Sequence, residues 1–395
     1  MKPRNQMMKR KRLSLYLLSI LSLLSITLPS LAVTPPPPKL EARSYFMMDF
    51  HSGKVLADHN ADQRMPPASL TKIMTVYAVL NEIKRGNLNL DDQVTVSKKA
   101  WKAPGSRMFI EVDKRVPVEE LLKGVIVQSG NDASIALAEH IAGDERTFAE
   151  LMNQHAQRLG MTNTHFVNST GLPDPDHYTT AHDLTLLTQA LIAEFPEYYP
   201  WFRIKQFTYN DITQHNRNRL LWRDPTVDGV KTGHTEEAGY CLVASAKRDE
   251  MRLISTVMGT DSDNARASAS QALLNYGFRF FTTRLIHDPT SPLREVRIYK
   301  GALETLPVGV ARPIYVTVPK ERAEGLSIQV DMDPWITAPI SKGQELGTLS
   351  IRLENKTILE SPVIALQKVP TGGLVHRVMD EGWLLIEQWR NRPHE

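Results

Sequence analysis

Ser69-Leu70-Thr71-Lys72 places a hydroxyl and an amine three positions apart. On a helix, positions i and i+3 share a face, so the two groups come within hydrogen-bonding reach. A serine hydroxyl becomes a competent nucleophile when a base takes its proton. Lysine is that base only when burial or a neighbouring cation favours its neutral form. A helix start also aims backbone N–H groups at an anion forming there. Alone, the spacing is weak evidence. Ordinary Ser and Lys usage puts about one or two such matches in a chain this long, and a surface lysine after a helix-cap serine is the simpler reading.

Lys231-Thr232-Gly233 changes that balance. It follows the turn signal Asp228-Gly229 and precedes a strand expected at Gly239. It offers a cation, a hydroxyl and a residue without a side chain, suited to an anionic substrate end and to close approach of a substrate backbone. Lys231 is also a second cation able to lower the proton affinity of Lys72. An ordinary strand-entry turn is the plain alternative. Ser-x-Asn occurs twice, as Ser129-Gly130-Asn131 and Ser262-Asp263-Asn264. The first falls between two expected helices, where a loop can present both side chains inward. The second precedes a helix, where a turn or cap role is more economical, so Ser129 and Asn131 are chosen.

The elements that must carry these residues read as an α+β fold. Tyr45–Asp49 and Val55-Leu56-Ala57 form a hairpin around His51-Ser52-Gly53-Lys54, and a helix runs from Ala68 or Ser69 towards Arg85. Apolar residues at three- and four-residue spacing predict helices over Val118–Val127, Asp132–Ile141, Glu145–Leu159 and Ala181–Ala193. Strands Gly239–Ala246 and Met251–Met258 pair across Lys247–Glu250, and a helix follows over Ala265–Phe281. This order suggests an antiparallel sheet with helices packed on it. After His287, the linker Asp288–Pro292 leads to short β-rich runs, among them Ile314–Val318, Leu326–Val330 and Leu349–Leu353, which form a small all-β domain without convergent polar residues. The expected domains are therefore 43–287 and 288–371, behind a Pro35–Pro38 spacer within 33–42.

Both ends carry their own signals. Lys2, Arg4 and Lys9–Arg12 precede the apolar run Leu13–Leu28, and Ser30-Leu31-Ala32 offers small residues for cleavage. Residues 1–32 thus read as an export signal, with a retained anchor as the alternative. Those six cations leave 41 Lys and Arg against 44 Asp and Glu, so the basic balance belongs to the leader and nothing points to nucleic acid. In the tail, 372–395, Val375, Val378, Met379, Trp383, Ile386 and Trp389 recur at helical spacing. Such a helix lies in a membrane interface or docks on its own domain. The single cysteine, Cys241, allows no internal disulfide and reads as core filler.

Ser-x-x-Lys, Ser-x-Asn and Lys-Thr-Gly, in that order, resemble the signature of penicillin-binding proteins and active-site-serine β-lactamases. Pro67–Lys72, Ser129–Ala133 and Asp228–Thr235 are similar in wording to the D-alanyl-D-alanine carboxypeptidases of low molecular mass. The likeness runs from about Tyr45 to Phe281, and the linker, β-domain and tail repeat that family's layout. It implies a β-lactamase/transpeptidase-like fold, no cofactor or metal, and removal of the terminal D-Ala from peptidoglycan pentapeptides through an acyl-enzyme at Ser69. Lys72 would take the proton and Ser129 would relay one to the departing D-Ala. Asn131 would hold the substrate amide, Lys231 and Thr232 would support charge and the terminal carboxylate, and the N–H groups of Ser69 and His234 would form the oxyanion hole. Arg266 matches an arginine that reads the substrate carboxylate, while Arg217 and Asp183 fall near the cleft, where a structural salt bridge is an equal alternative. β-Lactam antibiotics would be covalent inhibitors, and the location would be periplasmic, on the outer face of the cytoplasmic membrane. Two departures stand out: Ala133-Ser134 replaces a frequent cysteine, and Cys241 sits where relatives commonly carry a polar residue. The rivals are a β-lactamase, for which no Glu-x-x-Leu-Asn segment is found, a D,D-endopeptidase, which usually lacks the β-domain, and a scaffold that has lost turnover, against which Ser69, Lys72 and Lys231 are intact.

Overall fold

A computed structural model describes residues 34–390; the export leader expected over 1–32 lies outside the described residues, as do 391–395. From Pro37 onward the described chain clusters as one unit. At its centre is a five-stranded antiparallel sheet. Its strands are β1 (Ser44–Asp49), β2 (Val55–His59), β3 (Val227–Thr235), β4 (Gly239–Arg248) and β5 (Met251–Thr260), in the order β2-β1-β5-β4-β3. Side chains alternate across a strand, and here both faces are covered. Phe46 and Met48 of β1, Cys241 and Val243 of β4, and Ile254 and Met258 of β5 enter one core. Their neighbours Tyr45, Met47, Leu242, Ala244, Leu253 and Val257 enter the other. That double burial explains why β4 and β5 read as continuous apolar runs.

The first core belongs to a helical lobe. Its central helix, α1 (Lys72–Lys84), buries every residue from Lys72 to Glu82 and is apolar nearly all round, as a core helix must be. Around it lie α2 (Val118–Lys123), α3 (Asn131–Ala142), α4 (Glu145–Arg158) and α5 (Ala181–Glu194). The single helix expected over Val118–Val127 is instead α2 followed by one wide π turn, Gly124–Gln128. Insertions of this kind recur at functional sites. The second core is covered by α6 (Asp263–Phe280). Ser262 caps this helix, its hydroxyl accepting from Ala265 N–H at 3.1 Å.

Beyond α6 come β6 (Phe281–His287), β7 (Arg294–Arg297), β8 (Thr305–Gly309), β9 (Ile314–Pro319), β10 (Leu326–Met332), β11 (Glu345–Leu353) and β12 (Lys356–Ala365). Five form the antiparallel sheet β7-β8-β12-β11-β10. Strand β6, on the N-terminal side of the Asp288–Pro292 linker, pairs with β9. Hydroxyls join the two parts through one buried carboxylate. Asp49 accepts from Ser52 Oγ at 2.8 Å and from Thr283 Oγ1 at 2.7 Å, while Thr317 Oγ1 lies 2.6 Å from Ser52 and 2.8 Å from Thr283. The tail is a helix, α7 (Leu374–Arg390), held by Asp380 and Glu381 on Lys300. Leu384 packs inward, while Val375, Val378, Met379, Trp383 and Ile386 face outward. No helix among the described residues is long and apolar enough to cross a membrane.

Candidate active site

The nucleophile candidate stands on a strained approach. Ala68, immediately before Ser69, has φ +48°, the left-handed region that costs a residue with a Cβ about 1–2 kcal/mol. Ala68–Thr71 then forms one tight 3-10 turn leading into α1, rather than a uniform helix. Across the turn Lys72 Nζ lies 3.0 Å from Ser69 Oγ, 2.7 Å from Asn131 Oδ1 and 2.6 Å from the Thr170 carbonyl. Asn131 Nδ2 donates to the Pro104 carbonyl at 2.6 Å, which fixes the amide with Oδ1 towards lysine. Asn131 Oδ1 and Thr170 O can only accept. A neutral Lys72 therefore gives its two hydrogens to them and turns its lone pair to the Ser69 hydroxyl.

Burial is the main reason that this lysine gives up its proton easily. Burial first and Arg217 second push Lys72 down to about 7, with Asp132 and Glu145 opposing. Lys231 is pushed well below the usual lysine range, by burial first and then by Lys72, Arg217 and Arg266. The sequence reading has Lys231 depress Lys72. In the folded chain the two amines are close enough to repel each other, so each makes the other's proton easier to lose. Arg217 adds to that repulsion at Lys72.

Ser129 closes the π turn in a left-handed conformation, φ 62° and ψ 35°. Its Oγ is buried, with no hydrogen-bond partner among the described residues. Such an orphan costs about 1–3 kcal/mol and marks a group awaiting a partner from outside the chain. The neighbouring Asp132, given no site role by the sequence reading, accepts from Met108, Phe109 and Ile110 N–H at 2.8, 2.8 and 3.3 Å. It thereby pins the loop that presents Ser106. Of the two Ser-x-Asn candidates, the first meets Lys72, whereas Ser262 caps α6 and Asn264 accepts from Arg223.

Ser69 and Ser129 open onto a cleft of about 460 Å³, also lined by Thr232, Gly233, His234, Arg217 and Arg266. The opposite wall is the edge strand β3, so Lys231 and Thr232 sit within a strand and not in a turn before one. A Cβ on Gly233 would meet the Pro67 carbonyl at 3.0 Å and the Ala68 Cβ at 3.3 Å. The missing side chain lets β3 press against the Ser69 turn. Gly233 also lines the cleft, where the sequence reading expects a substrate backbone to approach. Asn131, which the sequence reading sets against the substrate amide, is held in place by one contact at each end of its own amide.

The arginines divide. Arg266 is buried; its Nη1 donates to the Gly233 carbonyl at 2.9 Å and its Nη2 pairs with Asp263, which also pairs with Arg219. Arg217 lines the same cleft, is exposed and has no ion pair among the described residues. Asp183 belongs elsewhere: it accepts from Asn163 N–H and Thr164 Oγ1 at the start of α5 and plays no part in the cleft. Cys241 is fully buried in the first core and its thiol is pushed up to about 11, chiefly by burial, an inert environment.

Sequence reasoning missed Thr170, Asp132, Arg219 and Asp263. Thr170 contributes a backbone carbonyl, which no side-chain pattern reports. Asp263 was legible only as part of the rejected second Ser-x-Asn.

Comparison with known proteins agrees with this geometry. Residues 31–262 match the family "D-alanyl-D-alanine carboxypeptidase", and residues 281–371 match "Penicillin-binding protein 5, C-terminal domain". The chain is 44% identical over 364 residues to D-alanyl-D-alanine carboxypeptidase DacC of Escherichia coli, covering 90% of this chain and 91% of that protein. It is 40% identical over 369 residues to DacA of the same organism, covering 90% of each. The solved structure of penicillin binding protein 5 from Haemophilus influenzae superposes with a TM-score of 0.80 at 39% identity, over 85% of this chain and 99% of that one.

Proposed function

The chain belongs to the D-alanyl-D-alanine carboxypeptidase family, and from that premise we propose that Ser69 removes the terminal D-Ala of peptidoglycan pentapeptides through an acyl-enzyme. The observation that carries the reading is the set of contacts around Lys72 Nζ: two of its three partners can only accept, which leaves the Ser69 hydroxyl to meet the lone pair of the neutral amine. Ser69 Oγ attacks the carbonyl of the penultimate D-Ala as Lys72 takes its proton. The resulting oxyanion rests on the N–H groups of Ser69 and His234. When the C–N bond breaks, the departing amine needs a proton, and Ser129, whose hydroxyl has no partner among the described residues, passes it on. Water then attacks the Ser69 ester and the serine recovers its proton. Positive charge from Arg217 and Arg266, with the Thr232 hydroxyl, suits the substrate's free carboxylate.

A penicillin presents a strained amide in the same place and acylates Ser69. A fluorescent penicillin labels the wild-type protein covalently, and Ser69→Ala abolishes the label. Labelling of Ser69→Ala would refute the assignment.

The same reading places the enzyme outside the cytoplasmic membrane. Its support is the basic-then-apolar leader and the outward apolar row on α7, which suits a membrane surface rather than a span. Deleting 374–395 releases the protein from membranes, and unchanged fractionation removes this part of the proposal.

A further inference from the structure

We infer that His177 is a positioning residue for the nucleophile, acting through Thr71 and the Ala68 carbonyl. His177 is buried and lies outside the cleft lining. The Val167 N–H donates to His177 Nδ1 at 3.1 Å, so that nitrogen carries the lone pair and the ring proton sits on Nε2. Nε2–H then donates to Thr71 Oγ1 at 2.8 Å, and the Thr71 hydroxyl passes its own hydrogen to the Ala68 carbonyl, also at 2.8 Å. Each donor has one acceptor, and the chain ends on the left-handed residue that precedes Ser69.

The same imidazole ties together the two halves of the catalytic pair. Val167 begins the loop whose Thr170 carbonyl holds Lys72, and Thr71 lies between Ser69 and Lys72 in the turn. Asn168 braces that loop by accepting from Thr170 N–H at 3.1 Å and Gly171 N–H at 2.7 Å. Loop and turn touch directly at Gly171, where a Cβ would stand 1.8 Å from the Ala68 carbonyl oxygen. Without the His177–Thr71 link, the unfavourable conformation of Ala68 loses its tether, and the spacing of Ser69 and Lys72 loses its reference to the loop.

This inference rests on the acyl-transfer reading, and its test separates the two. The acylation rate constant and the non-covalent affinity for a fluorescent penicillin are measured for wild type, Ser69→Ala, Thr71→Val, His177→Ala, His177→Gln and the Thr71→Val/His177→Ala pair. Misplacing a nucleophile by about 1 Å costs on the order of 10²-fold in rate, so Thr71→Val and His177→Ala each slow acylation on that order while affinity stays near wild type. The double variant is no slower than either single one, because both cut the same chain. His177→Gln, whose carboxamide N–H can reach Thr71, recovers most of the rate. Should His177→Ala fail to fold, Thr71→Val and His177→Gln carry the comparison. Wild-type acylation by Thr71→Val, multiplicative losses in the pair, or a His177→Gln as slow as Thr71→Val would overturn the positioning role. Labelling of Ser69→Ala would instead overturn the acyl-transfer reading on which it stands.

Discussion

The backbone carbonyl of Thr170 accepts a 2.6 Å hydrogen bond from Nζ of Lys72. With Asn131 Oδ1 it uses both hydrogens of the neutral amine, so the base is aimed by acceptors that cannot be talked out of accepting. This arrangement works only if Lys72 sheds its proton near neutral pH, and burial together with Arg217 brings it down to about 7.

Acylation therefore rises with pH through about 7 and levels off above it. Lys72→Ala lowers the acylation rate by about 10²- to 10⁴-fold, the usual worth of a positioned base. Stopped-flow acylation between pH 5 and 9 checks both. The same shift enters stability with a definite sign. The unfolded lysine holds its proton up to 10.5 and the folded one only to about 7, so this group's contribution becomes less unfavourable as pH rises across that window.

Arg217→Gln removes the cation that pushes Lys72 down. Lys72 then keeps its proton longer, and the acid limb of the acylation profile moves to higher pH. Removing positive charge from the cleft also raises KM for peptides with a free C-terminal carboxylate. An unmoved acid limb would show that Arg217 does not set the lysine.

Asp263 sits on the guanidinium that the sequence reading reserves for the substrate carboxylate. The backbone carbonyl of Gly233 already fixes Arg266, so Asp263 is not needed to orient it and instead offsets its charge. Asp263→Asn lowers KM for a carboxylate-ended peptide by about three- to tenfold, on the scale of an ion pair worth ~1 kcal/mol. The matching carboxamide peptide is unaffected. Kinetics on the two peptides side by side decide it.

The carboxylate of Asp49 couples β1 to β6 through Thr283. Asp49→Ala leaves Ser52, Thr283 and two backbone N–H groups, those of His51 and Ser52, without their acceptor. The expected loss is about 1–3 kcal/mol. Calorimetry of wild type beside Asp49→Ala measures it.

Much of this arrangement was legible in residue patterns. The hairpin Tyr45–Ala57, the paired β4 and β5 and the helices α3 to α6 follow from periodicity, because burial imposes it. The three short motifs located the cleft. Other features depend on packing between segments far apart in the chain. The π turn that throws Ser129 into a left-handed conformation has an ordinary helical sequence. Gly233 is small because a turn more than 160 positions earlier presses on it, and the acceptor on Thr170 is backbone. Asn131 has the residue type expected of a substrate contact, and only the positions of Pro104 and Lys72 reveal how its amide is held.

The most direct test of the central claim is a single turnover on a pentapeptide ending in D-Ala-D-Ala, quenched in acid and read by peptide mass spectrometry alongside free D-Ala. The expected result is one D-Ala released per acyl group found on the peptide containing Ser69, and neither from Ser69→Ala. D-Ala released by Ser69→Ala, or an acyl group on any other residue, would contradict the account.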